Sequence, residues 1–196
     1  SLSDGTYSNC TITVTDTTGN VSSSLTITSF IVDLTAATLV EVTAVTTPTN
    51  VTTPNYTFSS SEAGTITYGG SCSSSITSAT TDNNTITLVS LSDGTYSNCT
   101  IMVTDNLGNS VTMNIGLFVI DTTAPTVSSI SPTDNSTDVS VSTTVEVTFS
   151  EAMSTSTITT NTENTTCSGS FQLSSDNFTT CIKMSAAPSA SNSDKT

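Results

Sequence analysis

The chain of 196 residues has no histidine and no tryptophan, and its only 2 cationic side chains are lysines, Lys183 and Lys195. Lack of histidine removes the side chain best suited to proton transfer near neutral pH and the commonest nitrogen ligand for metals. Lack of arginine removes the planar clamp for carboxylates, phosphates and oxyanions. Against those lysines stand 16 Asp and Glu, a net charge of −14. A surface of that sign repels phosphate backbones and anionic membranes, which argues against a nucleic-acid partner. No stretch approaches the roughly 20 consecutive apolar residues of a membrane span. The acids sit singly in turns rather than in facing pairs, so the sequence predicts a protein that is not an enzyme.

Charged residues make up only 9 % of the chain, and serine and threonine are abundant, a composition compatible with disorder. The spacing of the apolar residues argues for strands instead. Cys99, Ile101 and Val103 alternate with Thr100 and Met102, and Cys10, Ile12 and Val14 alternate with Thr11 and Thr13. Period-two patterning rich in β-branched residues marks half-buried strands. No segment carries a convincing helical stripe, and Gly, Asn, Asp and Pro punctuate the strands as in an all-β sandwich.

An internal repeat organises these strands. SLSDGTYSNC at 1–10 recurs letter for letter at 90–99, an offset of 89 residues. TITVTDTTGN (11–20) aligns with TIMVTDNLGN (100–109), and FIVD (30–33) with FVID (118–121) after a one-residue gap. That period suits one small sandwich domain and is too long for a solenoid rung. Three units are expected: 1–33, the C-terminal half of a repeat whose front half is missing; 34–121, a complete repeat; and 122–196, the N-terminal part of another domain. Strands in the complete unit are expected near 38–46, 55–60, 64–70, 84–89, 95–104 and 110–120.

The segments SEAGTITYGGSC, LSDGTYSNCTIMVTDNLGN and VIDTTAP resemble the bacterial immunoglobulin-like repeats of large secreted and surface proteins. APTVSSISPTDNSTDVSVSTTVEVTFSEAM (124–153) is similar to a different bacterial Ig-like type, found in S-layer and related cell-envelope proteins. The resemblance implies an all-β fold of tandem Ig-like β-sandwiches, with the first and last units truncated. It also implies a non-catalytic structural or adhesive stalk, extracellular or on a bacterial surface, whose partners are neighbouring repeats and a surface glycan or protein ligand. The competing expectation is an accessory module of a secreted, polysaccharide-degrading enzyme, although aromatic residues make up just 5 % of the chain and offer no evident sugar platform.

Five cysteines make an odd count, and Cys10 and Cys99 are equivalent positions in the repeat. If Cys99 pairs with Cys72, the equivalent partner of Cys10 falls outside this sequence, and Cys167 is left to pair with Cys181. The alternative is five buried free thiols. Disulfides would imply an oxidising compartment.

In an Ig-type sandwich the loops gather at two poles. The turns SEAG (61–64) and TDNLGN (104–109) then share a pole with the linker, so that Asp4, Asp33, Glu62 and Asp105 could converge at one joint. Asp93, Asp121 and Glu151 are their equivalents at the next. Oxygen-only clusters of this kind suit Ca²⁺, and related adhesin repeats use calcium to stiffen such joints. The alternative is ordinary solvated turn residues. Asp33 is followed by LTAA rather than the TTAP that follows Asp121, a departure at the first joint. Finally, Tyr96 stands three residues before Cys99, so strict alternation would turn one of them outward. A bulge at Ser97–Asn98 is expected to return both to the core.

Overall fold

Alternation puts every second side chain of a strand on one face, and that face becomes a core only where a second sheet covers it. The computed structural model, which describes residues 1–193 and 195, contains both outcomes. It divides into two compact units, 1–122 and 123–196.

Within the first unit, residues 1–33 form two separate strand pairs. β1 (Gly5–Tyr7) pairs with β4 (Phe30–Val32), and β2 (Thr11–Ile12) with β3 (Leu25–Thr26), both antiparallel. Residues 34–121 build a two-layered sandwich. One layer has the order β5-β6-β9, made of Leu39–Thr43, Asn55–Ser60 and Asp82–Thr87. The other is formed by β7 (Gly64–Gly69), β8 (Ser78–Ala79), β11 (Thr100–Thr104) and β12 (Ser110–Asn114), in the order β12-β11-β7-β8. β10 (Gly94–Tyr96) and β13 (Phe118–Ile120) make a further antiparallel pair.

Tyr56, Phe58 and Ile86 from the first layer meet Ile66, Ile101 and Val103 from the second in one cluster, closed by Leu88, Ile115, Phe118 and Ile120. All ten are essentially inaccessible to solvent. Each such side chain contributes about 1.5–3 kcal/mol on burial, which makes this cluster the main source of stability in 34–121. The buried amide of Asn84 is fully used: its oxygen accepts from Thr80 N–H and its nitrogen donates to the carbonyls of Thr80 and Asp82.

The expected strand 95–104 is two strands. Tyr96 pairs with Phe118, whereas Thr100 pairs with Gly69 and Asn114. Residues 97–99 carry the chain from one pairing to the other. This crossing, rather than a bulge inside one strand, lets Tyr96 pack against the core while Cys99 is fully buried. The expected strand 110–120 is divided for the same reason. Gly70 lies at the crossing with φ +70°, and a Cβ there would stand 1.9 Å from the carbonyl oxygen of Asn98. Only glycine fits that approach.

In the second unit β14 (Val127–Ser131) pairs antiparallel with β15 (Glu146–Phe149), with a register shift between Val127 and Ser129. A 3-10 turn at Thr155–Thr157 is its only helical element among the described residues. Asn161 and Cys181 are buried, and the Asn161 amide donates to the carbonyl of Thr166. Among the described residues no helix is long and apolar enough to cross a membrane.

Candidate functional site

Three arrangements stand out, two of them built from the cysteines and acids singled out in the sequence. Cys72 is bonded to Cys99 and Cys167 to Cys181, while Cys10 is a free thiol, half-buried. Cys72 follows β7 and Cys99 precedes β11, so the first bridge staples two neighbouring strands of one sheet at the end where Gly69 faces Thr100. This differs from the inter-sheet bridge of antibody domains.

The second arrangement is the pole of the sandwich. One carboxylate oxygen from each of Asp33, Glu62 and Asp105 lies within 4.8 Å of the others. Oxygens that share a calcium ion at 2.3–2.6 Å stand at most about 5.2 Å apart, so the spacing fits that ion. The local sequence explains the geometry. Glu62 sits in the tight turn between β6 and β7, where its backbone carbonyl accepts from the hydroxyl of Ser60. Asp105 opens the β11–β12 hairpin, and its Oδ1 accepts from the backbone N–H groups of Leu107 and Asn109. Its Oδ2 accepts from the Asn109 amide, which also donates to the carbonyl oxygen of Asp33. These donors hold the Asp105 carboxyl below its ordinary range, the Asn109 side chain contributing most. A carboxylate oxygen has two lone-pair sites, so Oδ2 keeps one for a cation. Asp105 is thus turn-lock and potential ligand at once.

Asp4 is not a member of this cluster. Its Oδ1 accepts from the backbone N–H of Leu34 and its Oδ2 from the hydroxyl of Thr35. Asp93, its equivalent, accepts from both the N–H and the hydroxyl of Thr122. The SDGT aspartate therefore fastens the segment that leaves β4 or β13, a role the sequence reading missed. Asp121 immediately follows β13, and its backbone N–H donates to the carbonyl of Thr49. Glu151 lies in the second unit, just after β15.

The turn-lock was also missed, although its signal is visible as Asp-x-x-Gly-Asn in both repeats. Asp16 accepts from the N–H groups of Thr18 and Asn20 and from the Asn20 amide, and these bonds hold its carboxyl well below the usual carboxylate range. Gly19 and Gly108 take the same left-handed conformation, φ +92° and +96°.

The third arrangement is the parallel contact at the edge of the sandwich. Thr49 bridges Ile120 in parallel, its N–H donating to the Val119 carbonyl and its carbonyl accepting from Asp121 N–H. The Val119 N–H donates to the Thr47 hydroxyl.

Residues 121–194 fit the model of a bacterial Ig-like domain. No curated protein and no solved structure matches the chain.

Proposed function

Proceeding from the bacterial Ig-like domain at residues 121–194, we propose that this chain is a load-bearing stalk segment of a large bacterial surface or secreted protein, non-catalytic in itself. The parallel contact at Thr49 carries the reading. The Thr47–Thr49 segment comes from the beginning of the 34–121 sandwich, and β13 comes from its end. Once tension applied through residues 34 and 121 has peeled β5 from β6, it makes two such parallel neighbours slide past one another. Their hydrogen bonds lie across the pull and are loaded together, rather than opened one at a time as at a frayed hairpin.

Two further features support a tether. Asp4 and Asp93 fasten the segments leading out of their repeats through equivalent side-chain bonds. The disulfides fit an extracellular setting. Calcium bound by Asp33, Glu62 and Asp105 would belong to the same design, since it would tie the linker to both pole turns.

Single-molecule pulling tests the reading. Thr49→Pro removes a donor whose bond is worth about 1 kcal/mol at equilibrium, and it should lower the unfolding force of the 34–121 sandwich clearly at equal loading rate. Reduction of Cys72–Cys99 should then lengthen the released chain by the 27 residues it encloses, roughly 90–97 Å at full extension. Equal forces for wild type and Thr49→Pro would remove the mechanical argument for a stalk.

A further inference from the structure

Residues 1–33 and 90–121 share several local contacts, although the Thr11–Ile12 ladder is shorter than that of Thr100–Thr104. Tyr7 stacks on Phe30 at 5.3 Å and Tyr96 on Phe118 at 5.2 Å. The hydroxyl of Tyr7 donates to the Ser3 carbonyl, and that of Tyr96 to the Ser92 carbonyl. Ile27 N–H donates to the Cys10 carbonyl as Ile115 N–H does to that of Cys99. Their apolar faces differ completely. Ile101 and Val103 are 0 % exposed, while their counterparts Ile12 and Val14 are 48 % and 65 % exposed. Phe118 is 0 % and Leu91 7 % exposed, against 38 % for Phe30 and 51 % for Leu2. In 90–121 the cover is supplied by residues 34–89: Tyr56, Phe58, Ile66 and Ile86 close the core, and Cys72 bonds to Cys99.

We propose that the apolar face of residues 1–33 is a docking surface for a polypeptide of the 34–89 type, which seats on Ile12, Val14 and Phe30 and places a cysteine against Cys10. The occupant is defined by the second copy of the face, where such a segment is seen in place. A second copy of residues 1–33 fits less well: it offers two short strand pairs and no residue at the place of Cys72. On docking, the Cys10 thiol and the incoming thiol join in a disulfide, and two electrons and two protons pass to a disulfide oxidant such as oxidised glutathione. The proposal requires nothing of the stalk reading.

The test is a chain in which a copy of residues 34–89 is joined ahead of Ser1, reproducing the 89–90 junction, and refolded in a glutathione redox buffer. Peptide mapping should find Cys10 bonded to the appended cysteine. Amide exchange at Ile12 and Val14 should slow at least tenfold relative to the original chain. Ile12→Asp combined with Val14→Asp should reverse the protection without touching the 34–121 core. A Cys10→Ser version should keep the protection, because apolar packing rather than the bridge seats the segment. Cys10 remaining a free thiol with unprotected amides would overturn the proposal, as would equal protection by an appended segment of scrambled sequence. A third overturning result is a Cys10–Cys10 dimer as the main product, which would assign the face to another copy of the chain.

Discussion

Asp105 and Gly70 show how single residues set the local geometry. The Asp105 carboxylate replaces water with three donors of its own turn, among them the amide that reaches the Asp33 carbonyl. Its pKa is lowered in the folded chain, so the charged form is the one that the turn favours. The contribution is therefore complete above the unfolded value of about 3.9 and is lost as pH falls through the depressed folded value. The protection factors of the Leu107 and Asn109 amides, taken relative to intrinsic exchange at each pH, should fall in acid and hold at neutral pH, and Asp105→Ala should lower them at both. Gly70 has a different constraint. An added Cβ meets the Asn98 carbonyl, and the left-handed conformation costs a non-glycine residue roughly 1–2 kcal/mol before that clash is counted. Gly70→Ala should destabilise the 34–121 sandwich by at least that much, seen as a lower denaturant midpoint at unchanged slope, whereas a substitution at Gly94, where a Cβ meets nothing within 4 Å, should be limited to its backbone cost.

At the scale of elements, the strands that alternation can reveal are those with one covered face. β6, β7, β9 and β11 lie close to their expected places because Tyr56 and Phe58, Ile66, Ile86, and Ile101 and Val103 each mark one side. β8 carries no such mark: it is two residues long, and only Ala79 is buried. The breaks at 97–99 and 115–117 were hidden because apolar periodicity follows the side of a strand and not the identity of its partner. The same limit applied to the acids. The gathering of Asp33, Glu62 and Asp105 follows from turns meeting at one pole, but Asp4 and Asp93 accept from backbone N–H groups 30 and 29 residues further along, partners that the local motif does not name. The staple between β7 and β11 is an element-scale device as well. Closing a 27-residue loop stabilises by about 3–4 kcal/mol if unstrained. Cys72→Ala combined with Cys99→Ala should lose stability of that order in equilibrium unfolding, with β7 and β11 the first strands to lose exchange protection.

The whole molecule carries a net charge of −14 with 2 cations to offset 16 anions. Such a chain repels itself at low ionic strength, and salt should compact it by screening. Calcium at Asp33, Glu62 and Asp105 would act beyond screening. Extracellular sites of this kind bind with Kd about 10⁻⁴–10⁻³ M, so 10 mM calcium would add roughly 1.4–2.7 kcal/mol. The melting temperature of the first unit should rise in calcium and not in magnesium at matched ionic strength, and Asp33→Asn with Glu62→Gln should abolish the difference. Identical melting curves in calcium and in chelator would leave the pole held by the Asn109 bridge alone. The fastening at Asp4 has a consequence for heredity. The carboxylate and the Leu34 and Thr35 groups that it holds lie 30 and 31 residues apart, well inside one 89-residue offset. A duplication or deletion of one whole period at the level of the gene would copy or remove both halves of the fastening together. Such a chain can change its reach in a single recombination event without any joint having to be reinvented.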